Sequence, residues 1–321
     1  MKLQTILISV SLMLMSCQTK VVHGCLDSQA CNYDSTATID NNSCLYLDEC
    51  GECGGNNECI DECGVVNGNG YDCGGSCNNE NIELLGECYN IEETTELDLA
   101  GSGLTGEIPP EIGQLKNLTV LRLGWNQLIG EIPPEIGQLK NLTRLDLSNN
   151  QLIGEIPPEI GNLTNLEHLL LGSNQLSGEI SSGIGNLSNL RYLHLFYNQL
   201  SGEIPPEIGN LINLEGLSLG SNNLSGEIPP EIGNPTNLTL LDLNHNQLTG
   251  EIPLEIGQLT NLTDLMLYNN QLTGDIPHEV CDILESIIES ADLLWEDWDW
   301  SSIFDNNNLN NTCEDYFWIK D

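Results

Sequence analysis

From Thr94 to Cys281 apolar residues return with a period of 24 positions, and the unit is carried eight times. Leu97, Leu121, Leu145, Leu169, Leu193, Leu217, Leu241 and Leu265 form one column; Leu99, Leu123, Leu147, Leu171, Leu195, Leu219, Leu243 and Leu267 form another. Apolar and polar positions alternate around each pair, which predicts a short strand. Asn126, Asn150, Asn174, Asn198, Asn222, Asn246 and Asn270 recur where the chain turns. An inward amide there can satisfy backbone groups that would otherwise be buried unpaired. Gly130, Pro133 and their counterparts punctuate the return path and disfavour an α-helix on the outside. A unit this small cannot bury its apolar side alone, so the pattern predicts coils stacked into a solenoid.

One copy reads Leu121-x-Leu123-x-x-Asn126-x-Leu128-x-Gly130-x-Ile132-Pro133. It resembles the plant-type leucine-rich repeat, Leu-x-x-Leu-x-Leu-x-x-Asn-x-Leu-x-Gly-x-Ile-Pro, over well more than half of the chain. The resemblance implies a parallel sheet on the concave side and short strands or 3₁₀ turns on the convex side. Eight strands at ~4.8 Å spacing give a sheet about 40 Å along the stack. The departures from the pattern are specific. Ser102 replaces the asparagine of the first copy, Ile180-Ser181-Ser182-Gly183 replaces Ile-Pro-Pro-Glu in the fourth, and Pro235 stands at a leucine position. Cys281 takes the place of a glycine, and beyond it the register fails. Ile283, Leu284, Ile287, Ile288, Ala291 and Leu294 then follow helical spacing. Residues 89–280 are therefore read as repeats and 281–321 as a helical C-terminal cap, pinned by a Cys281–Cys313 disulfide. Trp295, Trp298, Trp300 and Phe304 either complete the cap or form an exposed aromatic patch.

Ahead of the repeats the chain changes character. Residues 1–16 read as an export signal: Lys2, then a short apolar run from Leu3 to Met15. Leu14-Met15-Ser16-Cys17 resembles a bacterial lipobox, which would make Cys17 a lipid attachment site and 17–24 an anchor or linker. Met15 is not the usual small residue of that motif, so plain cleavage and secretion stays open. Of 13 cysteines, ten lie between Cys25 and Cys88. An exported chain meets oxidising conditions, so disulfides are expected. Residues 25–88 have few apolar side chains to bury and form an irregular, cross-linked module rich in Cys, Asp, Asn and Gly. The module resembles those of bacterial exported proteins of the leucine-rich repeat class, and more weakly acidic stretches of thrombospondin-related proteins. Asp40, Asp48, Asp61 and Asp72 supply hard oxygen ligands of the kind calcium takes; a merely solvated acidic stalk is the alternative, and no other cofactor is indicated.

Eight basic residues against 48 acidic ones leave a formal net charge of −40. No basic stripe exists to neutralise phosphates, so nucleic acid is excluded, and a membrane is met only through the N-terminal lipid. Gly101-x-Gly103-x-x-Gly106 falls inside the first coil and has no crossover helix behind it, so it is not a dinucleotide loop. Cys50-x-x-Cys53 lies among acids with no nearby histidine, which favours a structural disulfide over zinc. No nucleophile elbow, zincin helix or phosphate loop is present, and the chain is read as a non-enzyme.

The outward strand positions are where the copies disagree. Glu131, Pro134, Glu135 and their equivalents on the return segments repeat almost verbatim, while the concave columns are scrambled. That contrast favours binding on the concave face. Tyr192, His194, Phe196 and Tyr197 cluster in the fifth copy with His168 and Leu170 beside them, and Arg122, Trp125 and Arg144 lie one or two coils away. Aromatic residues and arginine are the favoured anchors of recognition surfaces. These nine residues are the candidate ligand site, and the expected partner is an extracellular protein or glycan at the cell surface. Inhibition of a polysaccharide-degrading enzyme and calcium-dependent adhesion are the competing readings. Ice binding is disfavoured, since the concave columns carry no regular Thr or Asn array.

Overall fold

A computed structural model describes residues 81–290, 303–310, 312 and 313, together with Gln29; for residues 288–290 it describes the backbone alone. Two compact units divide the chain after Asn78, and the second holds all but one of the described residues. The signal segment, Cys17 and the four aspartates assigned to calcium lie outside the described residues.

Eight three-residue strands form one parallel sheet. Coils 1 to 8 contribute Glu96–Asp98, Val120–Arg122, Arg144–Asp146, His168–Leu170, Tyr192–His194, Gly216–Ser218, Leu240–Asp242 and Asp264–Met266 in turn. Each strand lies beside its sequence neighbour, with the repeat leucines paired, Leu169 against Leu193 and Leu193 against Leu217. Inside each coil the apolar side chains close ranks. Leu118, Leu121, Leu123, Leu128, Ile132, Ile136 and Leu139 are all buried, and the same places are buried in later coils. The solenoid core is therefore one continuous apolar column.

The asparagine column closes the hydrogen-bond accounts of that core. Asn198 Nδ2 donates to the carbonyls of Leu171 and Leu195 at 3.1 and 3.0 Å, and its Oδ1 accepts from the Leu176 N–H at 3.0 Å. One amide thus serves backbone groups in two successive coils. Outside, the Pro-Pro-Glu-Ile-Gly run makes 3₁₀ turns such as Pro134–Gln138, its entry fixed by Pro133 at φ −66°. The buried glycine of this run is required: a Cβ on Gly137 would stand 2.5 Å from the Glu159 carbonyl oxygen of the next coil.

Both ends depart from the repeat. An antiparallel hairpin, Asn81–Leu84 with Glu87–Asn90, precedes coil 1. Ile82 and Leu84 of this hairpin join the solenoid core. At the other end the helix His278–Ser290 packs on the 3₁₀ turn Leu254–Gln258 and buries Val280, Ile283, Leu284 and Ile287. Cys281 and Cys313 are joined by a disulfide with Cα atoms 5.4 Å apart.

The repeat register fails over the helix and then returns. After the helix, Asn307 takes the place of a ladder asparagine. Its Nδ2 donates to the Leu267 and Phe304 carbonyls at 2.9 and 3.0 Å, and its Oδ1 accepts from the Leu272 N–H at 3.0 Å. Asn308–Asn310 pairs in parallel with Thr273–Asp275. Residues 303–310 thus form the turning half of a ninth coil, with Phe304 buried in the core. Trp295, Trp298 and Trp300 lie outside the described residues.

Candidate functional site

The concave face is set by the residues between and beside the inward leucines. Tyr192 and His194 occupy the two outward positions of the coil 5 strand, and Phe196 follows two residues on. Tyr197 comes next, in a left-handed conformation with φ 50°. Trp125, Asn149, Ser173, Ser221, His245 and Asn269 share that conformation in their own coils. This column is a turn at the strand end, not part of the strand. The turn throws its side chains outward, which leaves Trp125 70% and Tyr197 64% exposed.

Five rings form an unbroken chain across coils 4 and 5. His168 stacks on Tyr192 with centroids 5.0 Å apart and planes 6° from parallel. Tyr192 meets His194 edge-on at 6.0 Å, His194 lies 6.1 Å from Phe196, and Phe196 meets Tyr197 edge-on at 5.9 Å. Glycines in the adjoining coils make room for them. A Cβ on Gly172 would stand 2.7 Å from the Phe196 ring, and one on Gly216 would stand 3.0 Å from that of Tyr192. The Tyr192 hydroxyl donates to Glu215 Oε2 at 2.7 Å, while Arg191 donates to Oε1 of the same carboxylate at 2.6 and 2.8 Å. That pairing holds the Glu215 carboxyl below its ordinary range, the tyrosine hydrogen bond being the main cause and the arginine next. The same hydrogen bond raises the Tyr192 hydroxyl above its ordinary value, so the phenol stays neutral.

Both histidines are less basic than usual. Burial is the leading cause for each; Arg144 adds to it at His168 and the His168 ring adds to it at His194. His194 Nε2 is buried with no hydrogen-bond partner.

The other sequence candidates divide. Leu170 pairs directly with His194 across the sheet and lies half-buried at the edge of the ring chain. Arg144 neighbours His168 in register and leans on Asp146 at 3.5 Å. Arg122 is committed to Asp98 in coil 1 at 2.8 Å, and Trp125 lies three coils from Tyr197 with no ring contact to the cluster. These two are separate from the aromatic patch.

A second concave cluster in coils 7 and 8 escaped sequence reasoning. Asn244 donates to the Tyr268 hydroxyl at 3.0 Å, His245 meets the Tyr268 ring edge-on at 5.1 Å, and His245 Nε2 lies 2.9 Å from Asn269 Nδ2. Burial raises the nearby Asp242 carboxyl above its ordinary value, partly opposed by a hydrogen bond from Ser218. The signal was available, because aromatic, amide and imidazole groups replace the Gly and Ser common elsewhere in these columns. Among the described residues no group of three His, Cys, Asp or Glu side chains is arranged to hold a metal ion, and no helix is long and apolar enough to cross a membrane.

The leucine-rich repeat region model matches residues 76–195 and 170–287, more than half of the chain. The chain belongs to the leucine-rich repeat family. Comparison with curated protein sequences gives no match. Among solved structures, a TDR receptor is 42% identical with a TM-score of 0.57, over 59% of this chain and 33% of that one. The plant peptide hormone receptor RGFR1 in complex with RGF2 is 38% identical with a TM-score of 0.53, over 64% of this chain and 34% of that one. The Arabidopsis receptor kinase HAESA, in complex with the peptide hormone IDA and the co-receptor SERK1, is 42% identical with a TM-score of 0.54, over 55% and 30%. This leucine-rich repeat chain therefore spans about a third of the length of those receptors.

Proposed function

We propose that this leucine-rich repeat chain is a non-catalytic, extracellular recognition module that binds a peptide segment of another protein on its concave face, centred on coils 4 and 5. The observation that carries the reading is the continuous ring chain from His168 to Tyr197. It is seated over Gly172 and Gly216 and fixed at one end by Glu215. Such a surface offers large, rigid contact area with little conformational freedom left to lose on binding. RGFR1 and HAESA, similar over part of their length, are receptors solved with peptide hormones, which supports a peptide over a glycan. Export through residues 1–16, and attachment through Cys17, would place the face outside the cell.

The test is selection of a peptide ligand from a displayed library, followed by calorimetric titration of variants. Replacing Tyr192, Phe196 and Tyr197 by Ala is expected to weaken binding by at least about a hundredfold, as loss of a hot-spot cluster does. Trp125→Ala, outside the ring chain, should change affinity less than about threefold, in the range of peripheral contacts. Equal affinity of the triple variant and the parent would reject the site. Gly172→Ala offers a finer check: it displaces the Phe196 ring without adding or removing charge, and should reduce affinity while the fold persists.

A further inference from the structure

The outer face is nearly verbatim from coil to coil, with one pronounced edit. Coil 4 carries Ser181-Ser182-Gly183 where coil 5 has Pro205-Pro206-Glu207. At that edit the structure holds an open cleft of about 1060 Å³, with Ile156, Ile180, Pro158 and Pro206 among its lining residues. Ser181 and Ser182 line it where coil 5 has two prolines. A Cβ on Gly183 would meet nothing closer than Ser181 Oγ at 3.4 Å and the Pro158 carbonyl at 3.7 Å.

The edit removes side-chain bulk and one carboxylate but leaves the glutamates that line the cleft. Glu155, Glu179 and Glu203 line the cleft and come from three successive coils. Their stems lie against the left-handed glycines of the following coils: Glu155 Cγ is 2.7 Å from a Cβ placed on Gly178, and Glu179 Cγ is 2.8 Å from one placed on Gly202. The three carboxylates therefore stand in a row at about the 4.8 Å strand spacing. None takes part in the ion pairs of the described residues, and no Lys, Arg or His lines the cleft.

We propose that this cleft is a second interaction surface, on the opposite side of coils 3 to 5 from the ring chain, and that it takes an extended basic segment of a partner protein. The chemistry fits lysine and arginine at both ends. Their aliphatic stems cover the proline and isoleucine walls, while their charged heads reach the carboxylate row. The Ser182 hydroxyl donates to the peptide backbone between them, while Ser201 and Ser225, whose hydroxyls donate to the Gly178 and Gly202 carbonyls at 3.4 and 3.5 Å, accept from it. A neutral sugar would leave three aligned carboxylates without a counter-charge, so it fits less well.

The experiment exploits the sign of the charge change. Restoring the consensus with Ser181→Pro, Ser182→Pro and Gly183→Glu adds bulk at the two serines that line the cleft and one negative charge beside them. The backbone accepts the change: Ser181 already has φ −59° and ψ 138°, which suits proline and a residue preceding proline. The probe is a fluorescent octapeptide of alternating Lys and Ser, read by anisotropy at ~150 mM salt, where remote charges are screened. The consensus variant is expected to weaken binding by about tenfold, and Glu179→Gln with Glu203→Gln by a similar factor. Unchanged or tighter binding by the consensus variant would show diffuse attraction to an acidic surface and overturn the proposal. So would a neutral oligosaccharide such as cellohexaose whose binding, unlike that of the peptide, depends on the open cleft. The Tyr192, Phe196 and Tyr197 variant should bind the probe like the parent, so the two surfaces stand or fall separately.

Discussion

At the scale of single residues, two kinds of asparagine look alike in the sequence and do different work. Asn198 is buried and links three backbone groups of two coils, whereas Asn189 is exposed and donates only to the Thr164 carbonyl at 2.9 Å. Removing the first strands buried donors and acceptors at about 1–3 kcal/mol each, while the second exchanges with water. Asn198→Ala is expected to cost about 3 kcal/mol and Asn189→Ala less than about 1 kcal/mol, measured by urea unfolding monitored at the most affected coils. The concave histidines supply a second residue-level prediction. Their folded pKa values lie below the ordinary 6.5, so the unfolded chain takes up protons first as the pH falls. Their contribution is therefore complete above about 6.5, declines as the pH drops below it, and levels off beneath the folded values. The His168→Gln, His194→Gln double variant should lose less stability than the parent between about pH 7 and pH 5.5. Parallel thermal midpoints across that range would mean that neither ring is held neutral by the fold.

At the scale of elements, what the sequence reveals depends on whether the spacing is kept. The leucine pairs, the asparagine column and the proline-led 3₁₀ turns were all legible because each recurs every 24 residues with the same physical task. The turn column was harder to read, because Trp125, Ser173, Tyr197 and Ser221 are not the usual residues at positive φ; only Gly101, Asn149, His245 and Asn269 hint at it. Within the site, the identity of the aromatic residues was readable, but the stacking of His168 on Tyr192 and the Glu215 anchor depend on neighbours a full coil away. The ninth half-coil was hidden because Asn307 follows Asn270 by 37 residues, the helix His278–Ser290 having been inserted into the return path. That half-coil gives the last ladder its partners, and the Cys281–Cys313 bond closes the loop that contains it, with a sequence separation of 32. Constraining a loop of that size stabilises by about 3–4 kcal/mol in the chain-entropy account. Reduction, or Cys281→Ser with Cys313→Ser, should expose the amides of Leu267 and Leu272 to hydrogen exchange well before those of coils 3 to 5. Uniform loss of protection along the stack would instead show that the cap and repeats open as one unit.

At the scale of the whole molecule, the balance of charge decides how the solenoid responds to salt. A column of glutamates, Glu107, Glu131, Glu155, Glu179, Glu203, Glu227 and Glu251, runs along the outer face, with Glu111, Glu135, Glu159, Glu207, Glu231 and Glu255 in a second one. Carboxylates at about 4.8 Å intervals repel, and folding brings them into line. Eight Lys and Arg residues cannot offset 48 acids, and the ion pairs present, such as Arg122 with Asp98, are largely exposed and individually weak. Screening therefore removes more repulsion than attraction. Raising sodium chloride from ~10 mM to ~300 mM, which shortens the screening length from about 30 Å to below 8 Å, should raise the thermal midpoint by several degrees. Magnesium or calcium chloride at matched ionic strength should do no more for a protein of residues 79–321 if the outer columns act as a diffuse field. A larger rise with calcium alone in that same protein would mean that the carboxylate rows grip individual ions. A falling midpoint in any of these salts would mean that the few ion pairs on the concave face outweigh the acidic columns, and the electrostatic account of the solenoid would have to be reversed.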